Sequence, residues 1–186
     1  FAAAESRDTG KPVRLAAAMD VPRAVANLRF FAGLVEHGSG GELRHGGGAE
    51  RSGVDDALNY TVRKPVGVVG LVTPWNLPLY LLTWKLAPAL AMGNAVVAKP
   101  SELTPTSATM LAGLLERAGL PRGIFNVVHG TGQEAGAALC SHQSVGAVSF
   151  TGGSQAGAAV AAAVAPRFAK LSLELGGKSP TIVFDS

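Results

Sequence analysis

The chain has 186 residues, of which 47% are hydrophobic and 16% charged, and its formal net charge is +3. This is the composition of a globular domain that can bury a core, and it excludes a disordered chain. Basic residues are scattered, and no apolar run approaches the roughly 20 residues that span a bilayer, so we expect neither a nucleic-acid nor a membrane partner.

The N-terminal third predicts a helix followed by a loop. Asp20 is expected to cap the helix, with Pro22 in its first turn. An apolar stripe then recurs at helical spacing, at Val21, Val25, Leu28, Ala32 and Val35. Residues 38–53 hold seven glycines, and residues 60–63 resume a β pattern. Residues 1–63 are therefore predicted to form a helical segment, a flexible glycine-rich loop and the start of a hairpin.

From residue 64 onward, short apolar runs alternate with helical patterns. The predicted strands are residues 66–73, 95–98, 124–128, 147–150, 171–175 and 181–184. The predicted helices are residues 78–92, 104–118, 132–139 and 155–165. This alternation predicts an α/β, Rossmann-like fold with a mainly parallel sheet and helices on both faces. Residues 64–186 would then form a dinucleotide-binding domain, with its ligand at the carboxyl ends of the strands.

The second of these helices has a clear predicted start. Thr104 is expected to be its cap, and Pro105 its first residue. Its buried face is predicted to consist of Ala108, Leu111, Leu115 and Ala118.

A glycine-containing turn is the first candidate for ligand binding. Residues 151–157 follow a strand and open a helix, where free backbone N–H groups can face a phosphate. A plain tight turn explains the same residues equally well. Gly130 and Gly132 after the third strand are weaker evidence, and the usual Gly-x-Gly-x-x-Gly fingerprint is absent from the first strand–helix turn.

Several polar residues allow a purely structural interpretation. On sequence alone, we favour a solvated Lys99 and a surface Glu102. Asn76 is suited to cap the helix that follows it, and Lys85 to extend from its helix to water. Glu174 is different, because a carboxylate that ends an apolar strand is costly unless it is paired or used. The single cysteine, Cys140, is expected to be a buried structural thiol.

Four segments, in this order, resemble the NAD(P)-dependent aldehyde dehydrogenases. They are TPWNLP at residues 73–78, KPSE at 99–102, FTGGS at 150–154 and LELGGK at 173–178. The similarity extends along nearly the whole chain, and residues 75–85 look most like the muconic semialdehyde dehydrogenases. The fold that the resemblance implies is the cofactor domain of that family, incomplete here.

The resemblance implies NAD-dependent oxidation of an aldehyde to a carboxylic acid, through a thiohemiacetal and a thioester on a cysteine. In the family that cysteine follows the residue matching Glu174, so we expect it beyond Ser186. The chain starts at Phe1 rather than Met, and residues are expected to be missing at both ends. Asn76 would donate to the oxyanion, Glu174 would activate water, and Lys85 would belong to a proton relay.

The resemblance also implies a cofactor site without a metal. Lys99 and Glu102 would bind the adenosine ribose, and the Glu102 carboxylate makes NADP less likely than NAD. Pyrophosphate would lie near residues 151–154, where Gly153 replaces the family's commoner Ser. The remaining predicted cofactor contacts are Thr73, Pro74, Trp75, Ser101, Gly132, Gly136, Thr151, Gly152, Ser154, Gly157 and Leu175.

The predicted partners are a small-molecule aldehyde and further copies of the chain, as a cytoplasmic dimer or tetramer. Leu77 stands where many members have Phe beside the substrate tunnel, which predicts a wider or less aromatic entrance. Two alternatives are a catalytically inactive dinucleotide-binding module and another enzyme on this fold, such as an acyl-phosphate reductase. Glu174 argues against the second, because relatives that pass the acyl group to coenzyme A or phosphate commonly lack this residue.

Overall fold

The computed structural model describes residues 1–38, 43–46, 57–60 and 62–184. The N-terminal elements are helix α1 (Ala2–Thr9), helix α2 (Val13–Leu15), a π-helical turn (Ala16–Asp20), helix α3 (Val21–His37) and strands β1 (Leu43–Gly46) and β2 (Ala57–Tyr60). Then follow β3 (Val68–Val72), α4 (Pro78–Ala91), β4 (Ala95–Lys99), α5 (Thr106–Arg117), β5 (Phe125–Val127), a π-helical turn (Gly132–Gly136), α6 (Ala137–Ser141), β6 (Val145–Gly152), α7 (Ser154–Val164), a 3-10 turn (Ala165–Arg167) and β7 (Lys170–Leu175).

Five strands form one fully parallel sheet in the order β5-β4-β3-β6-β7. The chain first moves outward from β3 to β4 and β5, then returns to place β6 on the other side of β3. This reversal creates a crevice at the carboxyl ends of β3 and β6, the usual ligand position in such sheets. The predicted fold class is confirmed. The predicted sixth strand is wrong, because residues 181–184 form no strand and Ile182, Val183 and Phe184 are exposed.

β1 and β2 pair antiparallel, with Leu43 opposite Tyr60 and Gly46 opposite Ala57. Of the residues 60–63 that were predicted to resume a β pattern, Tyr60 is the last residue of β2, and residues 62 and 63 form no strand. The predicted start of a hairpin within residues 1–63 stays a prediction. The other residues of the predicted glycine-rich loop, 39–42 and 47–53, lie outside the described part of the chain. The division of the chain near residue 63 stays a prediction.

Alternate strand residues separate the core into two layers. Val69, Leu71, Val96 and Ala98 pack on one face under α4 and α5, against Leu79, Leu82, Leu86, Ala108 and Leu111. Val72, Val148 and Phe150 pack on the other face, against Leu139, Cys140 and Val164 from the side of α6 and α7. Each fully buried leucine contributes roughly 1.5–3 kcal/mol by leaving water.

The apolar stripe of α3 is only partly buried, since Val21 packs against the core and Leu28 is half-buried, whereas Ala32 is exposed. Val25 and Val35 are exposed, and the buried residues of the helix are Ala24 and Asn27. The Asn27 side-chain amide donates to Thr83 Oγ1 at 3.1 Å and to the Tyr80 carbonyl at 3.3 Å. A polar contact therefore decides which face of α3 meets α4. Such a contact cannot be predicted from the spacing of apolar residues along the helix.

Both predicted helix caps are also wrong. Asp20 has helical backbone angles, because α2, the π-helical turn and α3 are continuous, and its buried carboxylate pairs with Lys11 at 2.6 Å. Thr104 does not cap α5, which begins at Thr106 and receives its cap from Asp8. On α5, Ala108 and Leu111 are buried as predicted, Leu115 is half-buried, and Ala118 is exposed.

None of the helices in the described ranges combines the length and the apolar character required to cross a bilayer.

Candidate active site at the carboxyl edge of the sheet

Most of the predicted site residues meet at one edge of the sheet. Thr73 follows β3, and its backbone N–H donates to the carbonyl of Lys99 at the end of β4, at 3.3 Å. At the ends of β6 and β7, Thr151 pairs with Glu174, and Gly152 pairs with Leu175. The parallel register thus brings together residues that are up to a hundred positions apart in the sequence.

The start of α7 offers backbone donors at this edge. Gly153 is its N-cap in an extended conformation (φ −71°, ψ 153°), and no side chain caps the helix. The Gly157 N–H bonds to the Gly153 carbonyl at 2.9 Å, which leaves the preceding N–H groups of the first turn without intrahelical partners. A Cβ atom placed on Gly153 would meet nothing within 4 Å. The turn is therefore open to an anionic group, which the helix dipole favours.

Gly157 lets α7 lie close to the sheet. A Cβ atom there would come within 2.5 Å of Leu175 Cδ2 on β7. At Gly152, a Cβ atom would lie 2.5 Å from the ring of Phe150 on the same strand, so the glycine leaves room for that ring. The approach of Gly157 to Leu175 sets how closely the start of α7 lies to the end of β7.

The structure pairs Lys99 with Glu102. The Lys99 side chain is 3% exposed, and its Nζ donates to Glu102 Oε2 at 2.9 Å, while the Glu102 side chain is 51% exposed. The expectation of a solvated lysine is therefore wrong. A Cβ atom on Gly136 would lie 3.9 Å from Lys99 Cδ, so the π-helical turn packs over the lysine stem.

Glu102 presents an ionised carboxylate at the surface of this edge. A hydrogen bond from its own backbone N–H, and then the hydrogen bond from Lys99, lower the pKa of Glu102. Ser101, which is buried, accepts the Leu103 N–H at 3.2 Å and so shapes the same loop.

The turn that holds Gly132 and Gly136 has a cap that the sequence analysis missed. Thr131 Oγ1 accepts the Glu134 N–H at 3.2 Å and donates to Glu134 Oε2 at 3.1 Å. Thr at the cap and Glu three residues later is a recognised sequence signature of a helix start. Applied to residues 131–134, it would have placed this turn correctly.

Lys85 lies beneath α4 against the sheet and does not extend to water. Its side chain is 7% exposed, and its Nζ donates to Ser149 Oγ on β6 at 2.8 Å. Burial lowers the pKa of Lys85, and the negative charge of Glu174 opposes part of that effect. Ser149 was not predicted from the sequence, although a polar residue at the centre of the apolar strand β6 was the available signal.

Glu174 and Asn76 are both exposed. Glu174 is open to solvent because β7 is the edge strand of the described sheet. Asn76 Oδ1 accepts the Leu77 N–H at 3.1 Å, one residue before α4 begins. Within the described residues, Asn76 Nδ2 has no acceptor, so it can serve as a hydrogen-bond donor to a ligand. Beside it, Thr73 is buried, Pro74 half-buried and Trp75 exposed.

Cys140 is a buried thiol, as predicted. It is 1% exposed, and burial raises its pKa. It packs with α6 and α7, on the face of the sheet opposite to Lys85.

Two other features lie apart from this edge. A cavity of about 250 Å³ between α5 and the start of β5 is lined by Glu116, Arg122 and Asn126, among others. It adjoins the amino end of its strand, and the candidate residues lie at the carboxyl ends. Across the ranges that the structure describes, no three His, Cys, Asp or Glu side chains are grouped to hold a metal ion.

Comparisons with known proteins identify a family and related structures. The model of the "Aldehyde dehydrogenase family" matches residues 1–186. The chain is 52% identical over 185 residues to human 2-aminomuconic semialdehyde dehydrogenase, covering 100% of this chain and 37% of that protein. It is 48% identical over 185 residues to 2-hydroxymuconic semialdehyde dehydrogenase of Pseudomonas sp. strain CF600, covering 99% and 37%.

Solved structures are similar over the same length. The structure of PnpE in complex with nicotinamide adenine dinucleotide superposes with a TM-score of 0.86 at 41% identity, covering 95% of this chain and 35% of that one. The NAD⁺ complex of an aldehyde dehydrogenase from Bacillus cereus gives 0.87 at 40% identity, covering 99% and 36%. This chain thus spans little more than a third of the proteins it matches.

Proposed function

The chain belongs to the aldehyde dehydrogenase family, and we propose that it supplies the NAD-binding domain and part of the active site of an enzyme that oxidises an aldehyde to a carboxylic acid. One observation carries this proposal. The β6–β7 register pairs Thr151 with Glu174, so the residue that carries this carboxylate lies on the strand next to the one that leads into the open turn of α7. A water-activating base and an anion-binding turn are thereby neighbours.

The residues at this edge fit NAD. The free N–H groups of the first turn of α7 would hold the pyrophosphate, and Lys99 with Glu102 would bind the adenosine ribose hydroxyls. The Glu102 carboxylate repels a 2′-phosphate, which favours NAD over NADP. When bound, NAD supplies the acceptor for the hydride that leaves the substrate carbon.

The side chains around the substrate position then have separate tasks. Asn76 Nδ2 donates to the oxyanion that forms when a nucleophile attacks the aldehyde. Glu174, exposed and so in contact with water, accepts a proton from the water molecule that hydrolyses the acyl intermediate. Lys85 contributes a positive charge near this base.

The nucleophile in this proposal is a thiolate that follows Glu174 in the natural protein. Cys140 is the single cysteine of these 186 residues. Its burial and raised pKa keep it a thiol, on the wrong face of the sheet.

The substrate class is inferred from the relatives and from the apolar side chains at the start and on the surface of α4. We propose a semialdehyde similar to those named for the muconic relatives. Leu77 is half-buried, and Trp84 is 51% exposed, with its ring centroid 6.3 Å from that of Phe31 in a T-shaped arrangement. These side chains supply an apolar surface for an unsaturated carbon chain.

We further propose that the natural protein is a cytoplasmic homo-oligomer and that residues 64–186 form its cofactor domain. Phe30, Leu34 and Val35 are exposed along α3 and supply apolar area for a contact between subunits. Sedimentation velocity on the natural protein tests the oligomer.

The deciding experiment is Glu174→Gln in the natural protein that carries this chain. With a semialdehyde and NAD, the variant should give a first burst of NADH and then stall, since acyl formation does not require the base. Glu116→Gln, an exposed carboxylate on α5 far from this edge, is the matched control and should turn over normally. Unchanged steady turnover in Glu174→Gln would show that the base is assigned wrongly.

A further inference from the structure

We propose that Ser149 is a positioning residue, which holds the Lys85 ammonium against the ends of β6 and β7 so that its charge acts on Glu174. This inference rests on the proposed function for the role of Glu174. The contact between Ser149 and Lys85 does not depend on that function and rests on the geometry of the structure alone.

The pleat of the two strands places four polar residues on one face. Val148 and Phe150 of β6 pack toward α6 and α7, so Ser149 and Thr151 point to the opposite face, which α4 covers. On β7, Leu173 and Leu175 likewise pack toward α7, so Ser172 and Glu174 point to the side of α4. In register, Ser149 pairs with Ser172, and Thr151 pairs with Glu174. We call these four residues the polar strip.

Lys85 is the residue of α4 that meets the polar strip. An ammonium carries three donors and has to be hydrogen-bonded when buried. The contact that the structure gives it is Ser149 Oγ, at 2.8 Å. No ion pair within 4 Å joins Lys85 to Glu174 among the described residues, although the charge of Glu174 acts on Lys85. The hydroxyl of Ser149 therefore decides where the ammonium lies.

Among the described residues, the other groups that contact α4 within two residues of Lys85 are uncharged. From α3 come the amide of Asn27, bonded to Thr83, and the ring of Phe31, against Trp84. From β3 comes Leu71, which belongs to the apolar layer under α4. Arg23 of α3 lies over the ring of Tyr80, more than a turn before Lys85. In the part of the chain that the structure describes, Glu174 is thus the charged group that interacts with the Lys85 ammonium, and the strength of this interaction depends on where the ammonium lies.

Replacing Ser149 with Ala removes the acceptor and leaves a methyl group in its place. The buried ammonium then loses the hydrogen bond that it donates to the Ser149 hydroxyl, which favours the neutral amine. The side chain is also free to take other rotamers, so the positive charge near Glu174 is lost on both counts. The step that needs Glu174 should slow, and binding of NAD should not change, since Ser149 lies on the α4 side of the sheet, away from the first turn of α7.

The first measurement is the labelling rate of Lys85 in the natural protein. Acetic anhydride reacts with the neutral amine, and peptide mass spectrometry reports each lysine separately. Each rate is divided by the same variant's rate on its alkaline plateau, which removes differences in access. In Ser149→Ala the relative rate of Lys85 at pH 8 should rise about tenfold. An unchanged relative rate overturns the proposal.

The second measurement is the kinetics of the same variants. In Ser149→Ala the steady-state kcat should fall about tenfold, with the NADH burst and the NAD KM unchanged. Ser172→Ala is the matched control, because it removes the neighbouring hydroxyl of the polar strip, and it should leave both readouts unchanged. Altered labelling with an unaltered kcat also overturns the proposal.

A second pair of variants covers the case in which Ser149→Ala does not fold. Ser149→Thr keeps the hydroxyl and Ser149→Val replaces it with a methyl group at nearly the same volume. The threonine variant should behave like the wild type and the valine variant should show both effects. Glu174→Gln separates the two proposals, since full turnover there refutes the assigned base, whereas the labelling result for Lys85 stands independently of it.

Discussion

Asp8 in α1 caps a helix that begins ninety-eight positions later in the sequence. Its Oδ2 accepts the backbone N–H of Thr106, and its Oδ1 accepts the Thr106 hydroxyl, both at 2.9 Å. The carboxylate satisfies a donor at the start of α5 and interacts favourably with the helix dipole. This contact joins the N-terminal helix to the cofactor-binding sheet.

Removing this cap should destabilise the protein. Asp8→Ala should lower the free energy of unfolding by about 1 kcal/mol, the usual cost of losing a side-chain cap. Asp8→Asn, which keeps an oxygen for the Thr106 N–H, should recover about half of that loss. Urea unfolding of the three proteins gives the comparison. Equal stability of Asp8→Ala and the wild type would mean that the contact contributes nothing.

The Lys99–Glu102 pair should determine the choice of cofactor. Glu102→Gln should weaken NAD binding about tenfold, because a charge-assisted hydrogen bond to a ribose hydroxyl becomes a neutral one. The same change should improve binding of NADP relative to NAD, since the repulsion of the 2′-phosphate is gone. Calorimetric titration of both dinucleotides measures the ratio, with Glu116→Gln as the control. If Glu102→Gln left the ratio of the NAD and NADP dissociation constants unchanged, Glu102 would not contact the adenosine ribose.

Two glycines at the start of α7 should respond differently to the same substitution. Gly157→Ala brings a methyl group against Leu175 in a packed layer and should cost about 1–3 kcal/mol of stability. Gly153→Ala meets open space at permitted backbone angles and should be nearly neutral in stability. Thermal unfolding of the two variants compares them. If Gly157→Ala were as stable as Gly153→Ala, the close approach of α7 to β7 would be in error.

Glu5 should make the stability depend on pH. It is 1% exposed, and among the residues that the structure describes neither carboxyl oxygen has a hydrogen-bond partner of normal geometry. Burial raises its pKa, although Ser107 and the Leu79 N–H lie near enough to favour the carboxylate in part. Because the pKa of Glu5 is raised in the folded state, the folded protein binds this proton more tightly than the unfolded chain does. The protonated carboxyl therefore contributes to the free energy of unfolding below pH 4.5, the ordinary pKa of the group. That contribution is lost as the pH rises through the pKa of Glu5 in the folded protein.

Glu5→Gln removes this dependence. Relative to that variant, the wild type should lose on the order of 1 kcal/mol of unfolding free energy between about pH 4.5 and neutral pH. Urea unfolding at several pH values gives the difference, and Glu116→Gln, an exposed replacement, should show none. A wild-type-to-variant difference that stays constant with pH would mean that Glu5 keeps one protonation state throughout.

The regular elements from residue 64 onward were accessible from the sequence because each has a local cause. β-branched runs bounded by Gly and Pro predicted β3, β4 and β6 within a few residues, and their alternation with helices predicted the parallel sheet. The failures arose where a distant residue replaced a local one. Asp8 took the cap that Thr104 was expected to supply, and Asn27 turned α3 away from its apolar stripe.

The sequence by itself determined the family, the fold class and which residue types stand at the strand ends, because these follow from local patterns and from short motifs. Only the tertiary structure decided which of those residues meet and in what environment. Burial of Lys99 and Lys85, the exposure of Glu174 and the contact of Lys85 with Ser149 all depend on strand register and on how helices cover the sheet. Solvation and hydrogen bonding of a charge are set by neighbours distant in the chain, and the chemistry of this edge of the sheet therefore arises only in the folded protein.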